Sequence, residues 1–445
     1  MRPINSGIHD AVDVFPPDPT TVRQPKPRRK LLVGAYVSLL LFMVIYCARP
    51  EDWIPGLSVV PLAKIAGILA LGALAVSLQH IRQRLPREVI FLMLLVGQMF
   101  VAAALSPVWR GGAFQLTLDF SKVLIVVLTI TAAVSTSQRL RALIFTQALS
   151  ISAIALVIIW KDRLLLGRLE GIFGGNYADP NDLALAIVIS LPLCSALLFL
   201  SRNRLWKTLW SISIFVMLSA VFMTGSRGGF LALLITTAVF LWEFAIRGRR
   251  RYLLVFAAIA GLILLQSVGG LLFGRLQGVV NPDESVQQRQ QLFWQSIKVT
   301  KQHPLFGVGQ GNFQEVSGVW HVTHNSFTEM SAEGGVPAFV LYVLILWCGF
   351  KNLKATKRLA RRHTESVVMA RALLASLAGY VVGSSFLSVA FQFFPYILVA
   401  YTTVLFSIEK KSAAKNRELA LISQRALTAN SAETDESLKL SLNFS

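Results

Sequence analysis

The sequence predicts an all-α polytopic membrane protein of about twelve transmembrane helices, with one large polar loop between helices nine and ten. Three observations lead there. Of the 445 residues, 54% are hydrophobic and only 15% are charged, and the mean hydropathy is +0.59; a soluble chain carries roughly 25% charged residues. The apolar residues are gathered into runs of about 15–22, close to the ~20 that a helix needs to cross a bilayer. Lys and Arg then fall on one side when the runs are laid out as successive crossings.

The elements follow in order. Residues 1–30 are Pro-rich and polar and end in Lys26, Arg28, Arg29 and Lys30. They lack an early apolar core with a small-residue cleavage site, so they predict a disordered tail, not a cleaved signal peptide. Apolar blocks come at 31–47, 57–78, 89–105, 116–134, 143–160, 183–200, 208–223, 229–246, 252–273, 327–350, 367–389 and 393–409. Together they predict a membrane domain over 31–409. Blocks four and ten are the weakest, since they carry Asp119 and Lys122, and Glu329 and Glu333. The polar, Ser/Ala/Asn-rich end, 410–445, predicts a second disordered tail.

If the first tail is cytoplasmic, the clusters Arg82–Arg87, Arg139–Arg141, Arg202–Lys207, Arg247–Arg251 and Lys351–Arg371 are cytoplasmic too. So are the basic residues from Lys410 onward. Of the 43 Lys and Arg, 31 then lie inside and 12 outside. Positive charge accumulates in cytoplasmic loops, so both termini are expected inside and residues 274–326 outside. The same bias explains the net charge of +20 without nucleic acid. Cys47, Cys194 and Cys348 all sit in apolar blocks, without disulfide or metal spacing, and read as small packing residues.

The outward features carry the chemistry. Trp53, among charges and prolines, fits an interfacial anchor. The run Asp179-Pro180-Asn181-Asp182 can cap the following helix, make polar contact with a sugar or phosphate, or pair two carboxylates on a divalent ion. The turn Thr224-Gly225-Ser226-Arg227-Gly228-Gly229 is squeezed between two blocks. It is either a tight hairpin with a snorkelling arginine or an anion site. Glycines let backbone approach a ligand, the next helix begins with free N–H groups, and Arg227 offers a planar fork for phosphate oxygens.

The outer insert holds three of the six histidines, and long structured loops tend to be functional. Gln287–Thr300 has helical periodicity with Leu292, Phe293, Ile297 and Val299 near one side. This predicts an amphipathic helix on the membrane surface presenting Arg289, which with Arg227 would clamp a diphosphate. His303–Gly311 is a turn-rich connector. His324-Asn325-Ser326 leads into block ten, where Asn325 or Ser326 can cap, and Glu329 and Glu333 share a face. Carboxylates so close to hydrocarbon suggest function or a buried partner. With an ordinary pKa near 6.5, His324 suits general-base work. It is otherwise structural, or one half of a metal pair with His321.

Taken in order, Thr224–Gly229 with Phe230-Leu231-Ala232, Arg289 with Trp294, His303–Gly309, and His324–Phe327 with Gly334-Gly335 resemble the O-antigen ligase / Wzy polymerase superfamily. The likeness covers the ligase-related region, about 208–350. It implies a GT-C-like membrane glycosyltransferase architecture in the inner (plasma) membrane, with 274–326 as a periplasmic loop and the active site on the periplasmic face. It implies a polyprenyl-diphosphate-linked glycan as donor, a glycan or lipid acceptor hydroxyl, no nucleotide sugar and no metal or other cofactor. Polysaccharide-assembly proteins are further partners it implies. By position, Arg227 and Arg289 match diphosphate-contacting arginines and His324 matches an essential histidine. Gly225, Ser226, Gly228, Gly229, Trp294, Asn325, Glu329, Asp179 and Asn181 are the expected substrate-binding residues. A ligase and a repeat-unit polymerase both fit. A transporter or flippase would call for internal repeats, and none is evident.

Overall fold

The computed structural model describes residues 31–54, 56–78, 85–161, 164–165, 168–169, 177, 179–245, 284–360 and 364–442. The first tail, the ninth apolar block, most of the connection at 162–178 and the start of the insert at 274–283 lie outside the described residues.

Eleven of the twelve apolar blocks coincide with helices: α1 (Leu31–Ala48), α3 (Leu62–Leu78), α4 (Arg87–Ala104), α5 (Arg110–Ala133), α6 (Ser137–Lys161), α7 (Pro180–Leu200), α8 (Arg204–Thr224), α9 (Arg227–Ala245), α12 (Ser326–Leu359), α13 (Glu365–Ser384) and α14 (Phe394–Leu442). Eight of them, α4 through α9 with α12 and α13, are long and apolar enough to cross a membrane. Among the described residues, three further α-helices are short or amphipathic: α2 (Pro50–Trp53), α10 (Glu284–Gln302) and α11 (Phe313–Ser317). The chain is therefore a polytopic helical membrane protein. One small departure from an all-α chain is a two-residue ladder, Leu164–Leu165 antiparallel to Arg168–Leu169.

Local chemistry sets the boundaries. Asp179 caps α7 by accepting from the Asn181 amide at 2.7 Å, and Pro180 opens the helix, a position where a missing N–H costs nothing. Asn203 caps α8, and α8 ends at Gly225 in the left-handed region, φ 56°. Asn325 caps α12, its Oδ1 accepting from Phe327 at 2.9 Å and Thr328 at 3.1 Å.

The centre of the bundle is α7, α13 and the first turns of α14. From Tyr396 to Leu405 every residue of α14 is buried, and α13 packs on both α7 and α9. In a bilayer, helices associate through close packing more than through water exclusion, so small residues mark their contacts. Gly383 of α13 lies so near Leu185 of α7 that a Cβ there would sit 2.5 Å from its Cδ1. Gly349 of α12 presses on Leu377 of α13 in the same way, at 2.9 Å.

Two expectations are corrected. The polar end after residue 409 is helical through Leu442 as the extension of α14. It contains neither Gly nor Pro and is rich in Ala, Leu, Glu, Lys and Arg, so backbone propensity favours helix even without an apolar face. The eleventh block stops at Ser384, five residues early, and Ser385–Phe393 forms a loop.

The two ends of the bundle differ. At one end are ion pairs and capped charges: Lys357 with Glu243 at 2.7 Å, Arg141 with Glu365 at 3.7 Å, and Asn352 donating to Glu88 at 2.6 Å. The loops that carry the candidate site residues meet at the other end.

Candidate active site

At that end, α12 is broken. Gly335 has φ 79° and ψ 174°, which no helix accommodates, and Pro337 follows. Residues Ser326–Gly334 thus form a half-helix that bears Glu329 and Glu333. A break within a membrane helix strands backbone groups that lipid cannot satisfy. The His303–Gly311 connector satisfies them. The Val308 amide donates to the Ala332 carbonyl at 3.0 Å, the Gly309 amide to the Glu333 carbonyl at 2.9 Å, and the Val336 amide to the Pro304 carbonyl at 2.8 Å. From α4, the Gln98 side-chain amide donates to the Leu305 and Gly334 carbonyls at 2.8 and 3.0 Å.

The glycines of the connector now have a reason. Gly307, Gly309 and Gly311 have φ 64°, 87° and 79°. A Cβ on Gly307 would sit 2.4 Å from the Glu333 carbonyl carbon. Asn312 and Ser106 tie the connector to the α4–α5 turn, the Asn312 amide donating to Ser106 Oγ at 2.7 Å. Glu333 itself is buried in the half-helix, with the Gly311 and Phe313 backbone nearby.

α10 docks on the same half-helix. Leu292 and Val299 are buried with Val308, Phe313 and Ala332, and Thr300 and Ser331 share a hydrogen bond of 2.9 Å. This corrects the expected apolar face. Leu292 and Val299 point into the protein, whereas Phe293 is exposed beside Trp294, edge to ring at 5.5 Å. Trp294 is 63% exposed and is not gathered with the polar cluster. Helical spacing alone could not separate a protein-facing stripe from a lipid-facing one.

His324 stands just before the half-helix, half-buried, with φ 50°. For a residue with a side chain this left-handed conformation costs about 1–2 kcal/mol. The Ser385–Phe393 loop holds it there: the His324 amide donates to Ser388 Oγ at 3.0 Å. Burial, and then the charge of Arg289, hold the imidazole pKa below its ordinary 6.5; Asp179 opposes this and His321 adds to it. His324, Arg289 and Asp179 are therefore electrostatic neighbours, although the sequence separates them by up to 145 positions.

The Arg227 turn joins through the same loop. Gly228 lies against Phe386, where an added Cβ would sit 2.9 Å from the Phe386 Cβ, and Gly229 against Ala184, at 2.6 Å. These two glycines are accounted for by packing. Ser226 Oγ donates to Asn181 Oδ1 at 2.6 Å and accepts from the Gly229 amide at 3.0 Å, so it caps α9. Asn181 also donates to Asp179 Oδ1 at 2.7 Å. Ser226 and Asn181, expected as substrate contacts, thus use these atoms inside the chain, and Gly225 ends α8. Arg227 is the first residue of α9 and half-buried. Glu329 is buried and its Oε2 accepts from the Ala390 amide at 3.3 Å. Asp182 accepts from Gln392 at 3.4 Å, so the Asp179–Asp182 pair is divided between a cap and a loop tether.

Sequence reasoning missed Gln98, Ser106, Asn312, Ser388 and Gln392. Gln98 did leave a signal, as a lone amide in an apolar block, where a polar side chain needs an internal partner.

These loops make a polar cluster at one end of the bundle, where burial and the Arg289 charge favour the neutral form of His324. Residues 212–343, from within α8 to the middle of α12, match the family model described as O-antigen ligase. The match supports the resemblance to the O-antigen ligase / Wzy polymerase superfamily, whose members are enzymes of glycan assembly. No curated protein matches the chain significantly.

Proposed function

We propose that the protein is an O-antigen ligase-like glycosyltransferase of the inner membrane, with a GT-C-like architecture. It moves a glycan from a polyprenyl diphosphate to an acceptor hydroxyl at the periplasmic end of the bundle. The acceptor oxygen attacks the anomeric carbon, and the bond from that carbon to the diphosphate breaks. His324 Nε2 or Nδ1 takes the hydroxyl proton as general base. Arg289 and Arg227 hold the lipid diphosphate as negative charge develops on it. Each charge-assisted hydrogen bond contributes roughly 1.5–3 kcal/mol. The bilayer presents the polyprenyl tail and confines both substrates to one plane.

The observation that carries this reading is that the Arg289 charge acts on His324, whose backbone is held by the Ser385–Phe393 loop that also packs against the Arg227 turn. An imidazole held below its ordinary pKa is neutral at pH 7, as a base must be. The repeat-unit polymerase differs only in its acceptor, a second lipid-linked glycan.

The test uses the full chain purified in detergent with a lipid-diphosphate-linked glycan, measuring released polyprenyl diphosphate. Arg227→Ala, Arg289→Ala and His324→Gln should each lower transfer by at least about 100-fold while the protein remains folded. No release by the wild type, with glycan flux across vesicles instead, sinks the transferase reading.

A further inference from the structure

We infer that Ser388 is a positioning residue for His324: its hydroxyl holds the histidine backbone in the left-handed conformation that turns the imidazole toward Arg289. The inference rests on the proposed role of His324 as base. The hydrogen-bond geometry determines the direction of every link. The His324 amide donates to Ser388 Oγ at 3.0 Å. Thr323 Oγ1 and Ser388 Oγ are 3.0 Å apart, and Thr323 Oγ1 donates its one hydrogen to the Asn325 carbonyl at 3.0 Å. Ser388 must therefore donate to Thr323. The chain runs from the His324 amide through two hydroxyls to the Asn325 carbonyl, and it encloses the backbone of His324 on both sides.

Two features show that the loop is built for this. The next residue, Val389, donates its amide to Ser326 Oγ at 2.9 Å, and Ser326 Oγ donates to the Leu387 carbonyl at 2.6 Å. Ser388 thus sits between two residues clamped to the first turn of α12. Among the described non-glycine residues, only Arg49 and His324 have positive φ. Arg49 is steadied by its own side chain, paired with Asp52. His324 is steadied from a different segment, 64 positions away.

The function of such a hold is directional. Remove the acceptor and the His324 amide is released; the residue can then relax to negative φ, and the imidazole swings away from the groups that face it. Those groups are Arg289 on α10, Asp179 before α7, and His321 in its own loop.

The first readout needs no substrate. Diethyl pyrocarbonate acylates neutral imidazole, and peptide mass spectrometry follows each histidine separately in the full chain in detergent. Ser388→Ala should change the His324 rate by roughly threefold or more, as expected for a displaced side chain. Ser388→Thr, which keeps the hydroxyl, should restore it, and Thr323→Val, which cuts the next link, should mimic Ser388→Ala. His303 should be unaffected throughout. An unchanged His324 rate in both Ser388→Ala and Thr323→Val overturns the proposal.

The second readout is transfer. Ser388→Ala should lower kcat roughly tenfold or more, leave KM for the lipid-linked donor unchanged, and add nothing to His324→Gln. If His324→Gln abolishes transfer and Ser388→Ala does not lower kcat, the positioning role is wrong. If His324→Gln retains transfer, it is the base assignment that fails, and the modification rates still decide whether Ser388 holds the backbone.

Discussion

Gly307→Ala is the sharpest test of the bracket that holds the broken helix. Gly307 has φ 64°, and an added methyl would lie 2.4 Å from the Glu333 carbonyl carbon, 2.5 Å from its oxygen and 2.7 Å from the Ala332 oxygen. All three atoms are backbone, so no side chain can move aside. The connector must retreat, and it then loses the Val308–Ala332 and Gly309–Glu333 hydrogen bonds. Two such bonds are worth about 1 kcal/mol each, and the left-handed conformation costs alanine about 1–2 kcal/mol, for a total of roughly 3–4 kcal/mol. Gly318→Ala is the internal control. Its φ of 68° is nearly the same, but nothing lies within 4 Å of the added methyl, so only the conformational cost of about 1–2 kcal/mol applies. Thermal melts in detergent at one fixed scan rate should rank wild type, Gly318→Ala and Gly307→Ala in that order, since unfolding here is read as a rate. Equal melting for the two variants would mean that the connector does not brace the helix break, and the bracket account would be wrong.

Other outcomes follow from the same site. Burial and the Arg289 charge lower the His324 pKa and Asp179 raises it, so the two substitutions move it in opposite directions. Arg289→Gln shifts the pH midpoint of His324 modification upward, toward 6.5, and Asp179→Asn shifts it further down; the same shift in both would refute the electrostatic arrangement. The transfer rate of the wild type should keep its plateau to below pH 6.5 on the acid side, because the base is lost only when His324 is protonated. Asn325→Ala removes the α12 cap made to Phe327 and Thr328 and should cost about 0.5–2 kcal/mol, whereas Asn325→Asp keeps an acceptor oxygen and should cost little; melts of the two variants check this.

Much of the fold was legible because membrane crossing is a local property. A helix in lipid must satisfy its own backbone and be apolar along its whole length, and both conditions are written into a stretch of some twenty residues. Caps were legible for the same reason: Asp179 and Asn325 act on amides two and three positions away. The polar end beyond residue 409 is helical despite its low hydrophobicity, because helix propensity acts independently of an apolar face. The site was legible only as separate pieces. Arg227, Arg289 and His324 could be picked out by residue type and neighbourhood, but nothing local shows that the last two meet.

By itself, the sequence determined where most of the apolar helices lie, several of their caps and the residue types in the loops between them. Only the tertiary structure decided which of those residues face one another. It showed that Ser226, Asn181, Gly228 and Gly229 hold the Arg227 turn to α7 and to the Ser385–Phe393 loop. It also showed that the glycine-rich connector repairs the break at Gly335, and that Ser388 supports the conformation of His324. The physical reason is range. Apolar length and capping act within one or two helical turns, whereas the hydrogen bonds that complete a broken helix and orient an imidazole join segments tens to hundreds of residues apart, and only packing of the whole bundle brings them within 3 Å.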